Sequence, residues 1–479
     1  MHGKPRLTRS GPPPKAGIVH LGPGAFFRGF NAVYTHEAMA QAGGDWGIIA
    51  VSLLSRTARD QMEPQGGLFT SVTLTHAGWD PQFIGSIART FVASEDPQAV
   101  VAAMADPNIK IVSLTITEKG YCTQSSTGAL DLNQLDIAHD LAHHDEPRSA
   151  VGFIVAALDA RRRAGAEPFT VLSCDNLPSN GALARAVVLE FASQRDSDLA
   201  DWIARTATFP STMVDRITPA TTTEDIERLA TQTGHFDAAC VFHEGFRQWV
   251  IEDNFVNGRP AWDVAGAQFV ASVEAHETMK LRCLNGTHST LAYLGNLAGY
   301  ETIADTVTDP DFVALCDMLW REEIIPTLTQ PDGEDLPCYC SALMTRYKNP
   351  SIRHRTWQIA MDGSQKLPQR LLGTMADNLA QGHEPRGLAL AVAGWMRYVG
   401  GIDENGQPID VRDPLAKALR VASDSAATNA DRVAVLLAFA EIFPSTLSTN
   451  SRFRRLVEDA YDTLVKQGVK AAVRGVVAS

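Results

Sequence analysis

The sequence predicts an α/β protein, with a Rossmann-like doubly wound N-terminal domain and a mostly α-helical C-terminal domain. Three observations predict it. Short apolar runs alternate with helical stretches through the first half, and the first of these runs passes through a Gly-x-Gly turn into a helix. From about Val273 onward the apolar spacing is helical almost to the end. At about 100–200 residues per domain, 479 residues are too many for one ordinary core. The reading therefore places a dinucleotide-binding domain at 1–272 and a helical catalytic and substrate domain at 273–479.

Taken in order, Gly17-Ile-Val-His-Leu21 is a strand-like run that leads into Gly22-Pro-Gly24-Ala-Phe26-Phe-Arg28 and then a helix to about Gln41. Glycines at 22 and 24 permit a tight turn, and the helix start offers unpaired N–H groups to a pyrophosphate. Position 27 is Phe where the G-x-G-x-x-G fingerprint has its third Gly, so a plain tight turn fits the same residues. Trp46–Val51 arrives where the second strand of a βαβ unit belongs, and a helical stretch at 97–104 precedes the run Ile109–Leu114. After the second strand an acidic residue would grip the ribose of NAD, but the sequence runs Ser52-Leu-Leu-Ser-Arg56, which leaves NAD and NADP both open.

A later unit repeats the arrangement, with a helix at 150–163, the strand Phe169–Ser173, and then Cys174-Asp175-Asn176-Leu-Pro-Ser-Asn180. Ligands bind at the carboxyl edge of such sheets, so Asn176 is a candidate amide donor, while Asp175 and Asn180 fit equally well as caps of the next helix. In the helical half, Glu277-Thr-Met-Lys280-Leu-Arg-Cys-Leu-Asn285-Gly-Thr-His288 gathers a carboxylate, an ammonium, an amide and an imidazole. Read as an α-helix at about 100° per residue, Glu277, His288 and Asn285 lie about 60°, 80° and 140° from Lys280. Burial among Met279, Leu281, Leu284, Leu291 and Leu294 would push the lysine pKa down, toward general acid–base work. A half-buried helix with a solvated charged edge would show the same pattern, and Asn285-Gly286 also fits a turn.

The formal net charge of −13 argues against general affinity for nucleic acid or anionic membrane, although a local basic site for a small anion is compatible with it. Seven cysteines without C-x-x-C spacing read as reduced thiols of a cytoplasmic protein. Cys338-Tyr-Cys340, taken as a strand, points its thiols apart and offers no metal site. The proline-rich start reads as a loose leader, and no apolar run approaches the ~20 residues of a membrane span.

These pieces resemble the long-chain, zinc-independent polyol dehydrogenases (the mannitol dehydrogenase family) over nearly the whole chain. The motifs that carry the resemblance are the turn ending in Phe26-Phe-Arg28, Ser113-Leu-Thr-Ile-Thr-Glu118-Lys-Gly-Tyr121, Ser173-Cys-Asp-Asn176, Val214-Asp215-Arg216, Lys280 through His288, and Met361-Asp-Gly-Ser-Gln-Lys366. The resemblance implies that Lys280 is the general acid–base, with Asn176 and Asn285 flanking the reacting oxygen. Asp215 and His288 are then further site residues, and Glu277 links the lysine to water. It also implies cofactor contacts from Gly22, Gly24, Phe26, Arg28 and Glu118, with NAD as cofactor, NADP not excluded and no metal.

Phe27, Gly29 and Phe30 depart from the family's usual continuation of the turn, which puts those cofactor contacts in doubt. Gln358 stands where mannitol dehydrogenases carry Arg, and with Lys366 it resembles the fructuronate reductase branch; both are expected to bind substrate. Lys366, Arg346, Arg353 and Arg370 are all candidates for holding a carboxylate. The expected reaction is hydride transfer between NAD(H) and a sugar acid, interconverting D-mannonate and D-fructuronate. The alternatives are a mannitol 2-dehydrogenase reaction and, from a different class, a non-catalytic nucleotide-binding sensor. The partners implied are a sugar acid or polyol, in a monomer or small homo-oligomer.

Overall fold

A computed structural model describes residues 3–75, 77–124 and 128–478. The chain divides into two compact units, Met1–Glu274 and Ala275–Ser479. In chain order the strands of the first are β1 (Ala16–Leu21), β2 (Gly47–Ser52), β3 (Phe69–Thr75), β4 (Gly78–Ile84), β5 (Ile87–Val92), β6 (Ile111–Leu114), β7 (Thr170–Ser173), β8 (Thr212–Asp215), β9 (Val241–Glu244), β10 (Gln248–Glu252) and β11 (Gln268–Val270).

Five of them form a wholly parallel sheet in the order β5-β2-β1-β6-β7. The residues of β1, β2, β6 and β7 are buried almost throughout, as strands covered on both faces by helices must be, and this is why they read as mostly apolar runs. Val19, Leu21, Val51, Val112 and Val171 pack on one face with the helix Ala150–Ala164, whereas Ile18, Ile48 and Ile111 pack on the other with Phe30 and Tyr34 of the first helices. The strand order reverses between β1 and β6, so the loops after these two strands diverge and leave a switch point at the sheet's carboxyl edge.

Two three-stranded sheets, β4-β3-β9 and β11-β10-β8, complete the first unit. Sequence periodicity did not reveal them, because β8 to β11 are three to five residues long and mix polar with apolar side chains. The leader is not loose. Leu7 is buried and its N–H donates to Phe236 O at 2.8 Å, and Arg9 donates to the carbonyls of Gly66, Gly85 and Ile87.

The second unit is helical throughout its regular structure. The Cys338–Cys340 pair lies in the helix Leu336–Tyr347, not in a strand: Asp335 accepts from Cys338 N at 2.8 Å and Pro337 occupies the first turn, which starts a helix there. The last helical stretch is divided by Gly468 at φ +81° into Ser451–Gln467 and Val469–Val477. Three segments, Lys280–Gly286, Leu319–Ile324 and Pro368–Leu372, are π-helical, and the first packs against both others. π-Turns are rare and concentrate at functional sites.

Candidate functional site

In the first unit, Gly22 has φ +94°, and a Cβ there would fall 2.2 Å from Thr115 O, so only glycine fits. At Gly24 a Cβ would meet nothing nearer than 3.9 Å, which leaves this side of the turn open to close approach. Phe27 fills the place of the third glycine by stacking on His20, with ring centroids 3.7 Å apart. His20 braces the turn from below. Its Nδ1 lies 2.8 Å from Ser113 Oγ and its Nε2 2.9 Å from Thr115 Oγ1, and burial pushes its pKa down to about 3. Phe26 is half-buried and stacks on Phe30. Arg28 is buried and donates to Pro23 O at 2.8 Å, so it holds the turn itself. Glu118 is exposed in the short 3₁₀ turn Glu118–Tyr121 that follows β6.

Asp175 and Asn180 do not cap the next helix. Asp175 accepts from Thr117 N (2.8 Å), Ile116 N (3.1 Å) and Tyr121 Oη (2.8 Å), which ties the loop after β6 to the loop after β7. Burial raises its pKa against the pull of these donors. The Asn180 amide donates to Thr212 O and accepts from Thr212 N, and so fixes the start of the helix after β7 to β8. Asn176, next to Asp175, is exposed, while Asp215 is buried at the end of β8. Asp175 and Tyr121 therefore matter as supports of these loops, a role the sequence did not show when it offered Asp175 as a helix cap and Tyr121 as the end of a motif. A polar pair next to a strand end is the signal that could have found them.

In the second unit there is no break at Asn285-Gly286, since the π-segment Lys280–Gly286 passes straight into the helix Thr287–Leu297. The i→i+5 bonding of a π-turn winds more residues into each turn than an α-helix does. It brings Asn285 round toward the Lys280 side, where an α-helix would leave it about 140° away. Lys280 is 7% exposed, and Glu277 and Asn285 are half-buried. Trp320 Nε1 donates to Cys283 O at 2.9 Å, pinning the wide turn to the second π-segment.

His288 stacks on Tyr347 (5.4 Å, 21°), and its Nε2 lies 3.4 Å from His354 Nδ1. Burial first, and then the neighbouring His354, Arg370, Arg346 and Lys366, hold the His288 pKa well below its usual value, so the imidazole is neutral. His354 is likewise held at about 4, by burial and Arg346. Arg346 is buried, and Lys366 donates to Met361 O at 2.5 Å. Arg370 donates from Nη1 to Ser289 Oγ at 3.0 Å. Arg353 stands apart, exposed and 3.9 Å from Glu301, and Gln358 is exposed on the helix Thr356–Ala360. His354 and Tyr347 are additions to the set; neither has a sequence signal beyond lying near Arg346 and the Met361–Lys366 motif.

A switch-point glycine turn in one unit and a buried lysine with an amide and a neutral imidazole in the other is the division of labour of an oxidoreductase that oxidises a small alcohol or reduces its carbonyl counterpart. The profile of the mannitol dehydrogenase Rossmann domain matches residues 16–264, and that of the mannitol dehydrogenase C-terminal domain matches 272–465. The chain belongs to the mannitol dehydrogenase family. It is 49% identical over 461 residues to the D-mannonate oxidoreductase of Escherichia coli K12, covering 95% of this chain and 94% of that protein. It is 40% identical to Pseudomonas fluorescens mannitol 2-dehydrogenase, solved as a ternary complex with NAD and D-mannitol, with a TM-score of 0.82 over 97% of this chain and 95% of that one. A D-sorbitol dehydrogenase solved substrate-free is 32% identical, with a TM-score of 0.90 and 98% of each chain covered.

Proposed function

We propose that the protein is an NAD-dependent, zinc-independent oxidoreductase that interconverts D-mannonate and D-fructuronate, with Lys280 as general acid–base. The observation that carries the reading is the second unit's set of a buried Lys280 and Asn285 on one π-turn, with a neutral His288 among Arg346, Lys366 and Arg370. A cation-rich surrounding suits a sugar acid better than a neutral polyol. The likeness to the E. coli D-mannonate oxidoreductase supports the same substrate class.

The residues of the glycine turn fit a dinucleotide. Gly22 and Gly24 would cradle the pyrophosphate, with Phe26 and Glu118 as further contacts. Bound NAD(H) supplies or accepts the hydride. Arg56 is paired with Glu95 at 2.5 Å, which favours NAD over a 2′-phosphorylated cofactor.

As the carbonyl is reduced, negative charge grows on its oxygen. The Lys280 ammonium and the Asn285 amide stabilise it, and Lys280 then transfers a proton to it. Glu277, one turn earlier, returns a proton to Lys280. His288, being neutral, can both donate to and accept from a substrate hydroxyl. Asn176 is assigned a second amide donor's role and Asp215 a supporting one, as the family resemblance implies. Lys366 and Gln358 are assigned to substrate binding, although the exposure of Gln358 supports it less. A cytoplasmic location and a monomer or small homo-oligomer complete the proposal.

The test follows consumption of NADH and of NADPH with D-fructuronate, D-tagaturonate and D-fructose. A preference for fructose would establish the second reading, mannitol 2-dehydrogenase activity, which the P. fluorescens structure supports. Failure to turn over any of them would favour a nucleotide-binding sensor. Lys280→Ala should lose most of kcat while NAD binding persists, and near-normal turnover would remove the lysine from its role.

A further inference from the structure

Arg370 occupies an unusual position for a guanidinium. It sits on the π-segment Pro368–Leu372, packed against the π-segment that carries Lys280 and Asn285, and it is only partly accessible to water. Its single side-chain bond is from Nη1 to Ser289, the neighbour of His288, and no carboxylate pairs with it among the described residues. Arginines removed from water are ordinarily paired, because burying the charge without a partner is costly.

Of the other cations, Lys366 donates to Met361 O and Arg353 is a surface group beside Glu301, while the carboxylate of Asp413 accepts from Ser364 N, Ser364 Oγ and Leu415 N. The Nε and Nη2 of Arg370 make no hydrogen bond among the described residues, and together they form a fork that matches the two oxygens of a carboxylate.

We propose that Arg370 is the specificity-determining residue that binds the substrate's carboxylate as a bidentate pair, held in place by Ser289. This rests on the sugar-acid reading above and adds to it the group that tells a uronate from a neutral ketose.

The test compares kcat/KM for D-fructuronate and D-fructose, with NADH, in the wild type, Arg370→Gln and Arg370→Lys. Loss of one partner of a desolvated, hydrogen-bonded ion pair should lower the fructuronate-to-fructose ratio about 100-fold in Arg370→Gln. Lysine keeps the charge but loses the fork, and the ratio should fall about tenfold. An unchanged ratio in both variants overturns the assignment while a wild-type preference for fructuronate leaves the sugar-acid reading standing. A wild-type preference for fructose defeats that reading itself. Should Arg370→Gln fail to fold, thermal shifts of Arg370→Lys with NAD decide: D-mannonate should lose its stabilising effect relative to the wild type more than D-mannitol does, and equal losses overturn the proposal.

Discussion

Replacing Gly286 by alanine sets two effects against each other. Within a helix the change should stabilise by about 1 kcal/mol, since alanine loses less backbone freedom than glycine. Yet a Cβ at position 286 would stand 2.8 Å from Arg370 O, whereas ordinary contact begins at 3.4 Å. The obstacle is backbone of another π-segment, which cannot rotate aside as a side chain would. Overpacking of this kind costs about 1–3 kcal/mol, and an unyielding neighbour places it near the upper end. Net destabilisation of about 2 kcal/mol is expected, a fall of about 4–8 °C in Tm for a unit of this size. Because the displaced turn carries Lys280 and Asn285, kcat should drop by roughly tenfold, in keeping with the steep cost of small misplacements. Thermal melts with steady-state kinetics check both. A Tm that rises with kcat intact would show that the two π-segments have slack between them, and the reasoning would be wrong.

Gly22→Ala should abolish NAD binding and destabilise the first unit, because φ +94° and Thr115 O at 2.2 Å both exclude a side chain; calorimetric titration with NAD reads it. Asp175→Asn replaces one acceptor oxygen by a donor opposite the N–H groups of Ile116 or Thr117, at a cost of about 1–3 kcal/mol, measurable by urea denaturation. Unaltered stability would mean that the loops after β6 and β7 do not depend on it. Acidification from pH 6 to 5 should destabilise the fold. His20 and His243 are held at about 3, below the unfolded value of 6.5, so the unfolded chain binds more protons in this window and each loses about 1 kcal/mol. Glu323, held at about 7 by burial, has the opposite sign and returns about 1 kcal/mol, leaving a net loss to which the depressed pKa values of His288 and His354 add; a rising urea midpoint on acidification would refute the ordering.

The parallel sheet was legible because strands buried on both faces are mostly apolar, as Ile18, Val19 and Leu21 of the first and Val171–Leu172 of the last are. The smaller sheets were not. Thr212–Asp215 is buried at every position, yet four residues ending in a carboxylate carry no periodic signal. Asp335 followed by Pro337 is a usable helix-start signal for Leu336–Tyr347, and it decides against a strand at the two thiols. The chemistry of Glu277 to His288 could be read from residue types alone, but its geometry could not. A wide turn has no composition of its own, because it comes from packing against Trp320 and the backbone at Arg370. Arg28 shows the reverse case, a charged residue beside a glycine turn whose partner, Pro23 O, is the turn itself.

The wide turn at Lys280–Gly286 also changes how the chain counts. The helices on either side of it, Glu274–Met279 and Thr287–Leu297, are out of phase with one unbroken α-helix, by about the 100° that one residue contributes. Losing the wide turn with every residue kept would swing His288 by that angle relative to Glu277, whereas deleting a single residue between Leu281 and Leu284 as the segment relaxes to regular winding would cancel the swing. Surface loops absorb such length changes readily; here a mismatch of one residue between length and winding is a rotation of half the polar set. Any chimaera or graft of this segment has to preserve its residue count before its residue types.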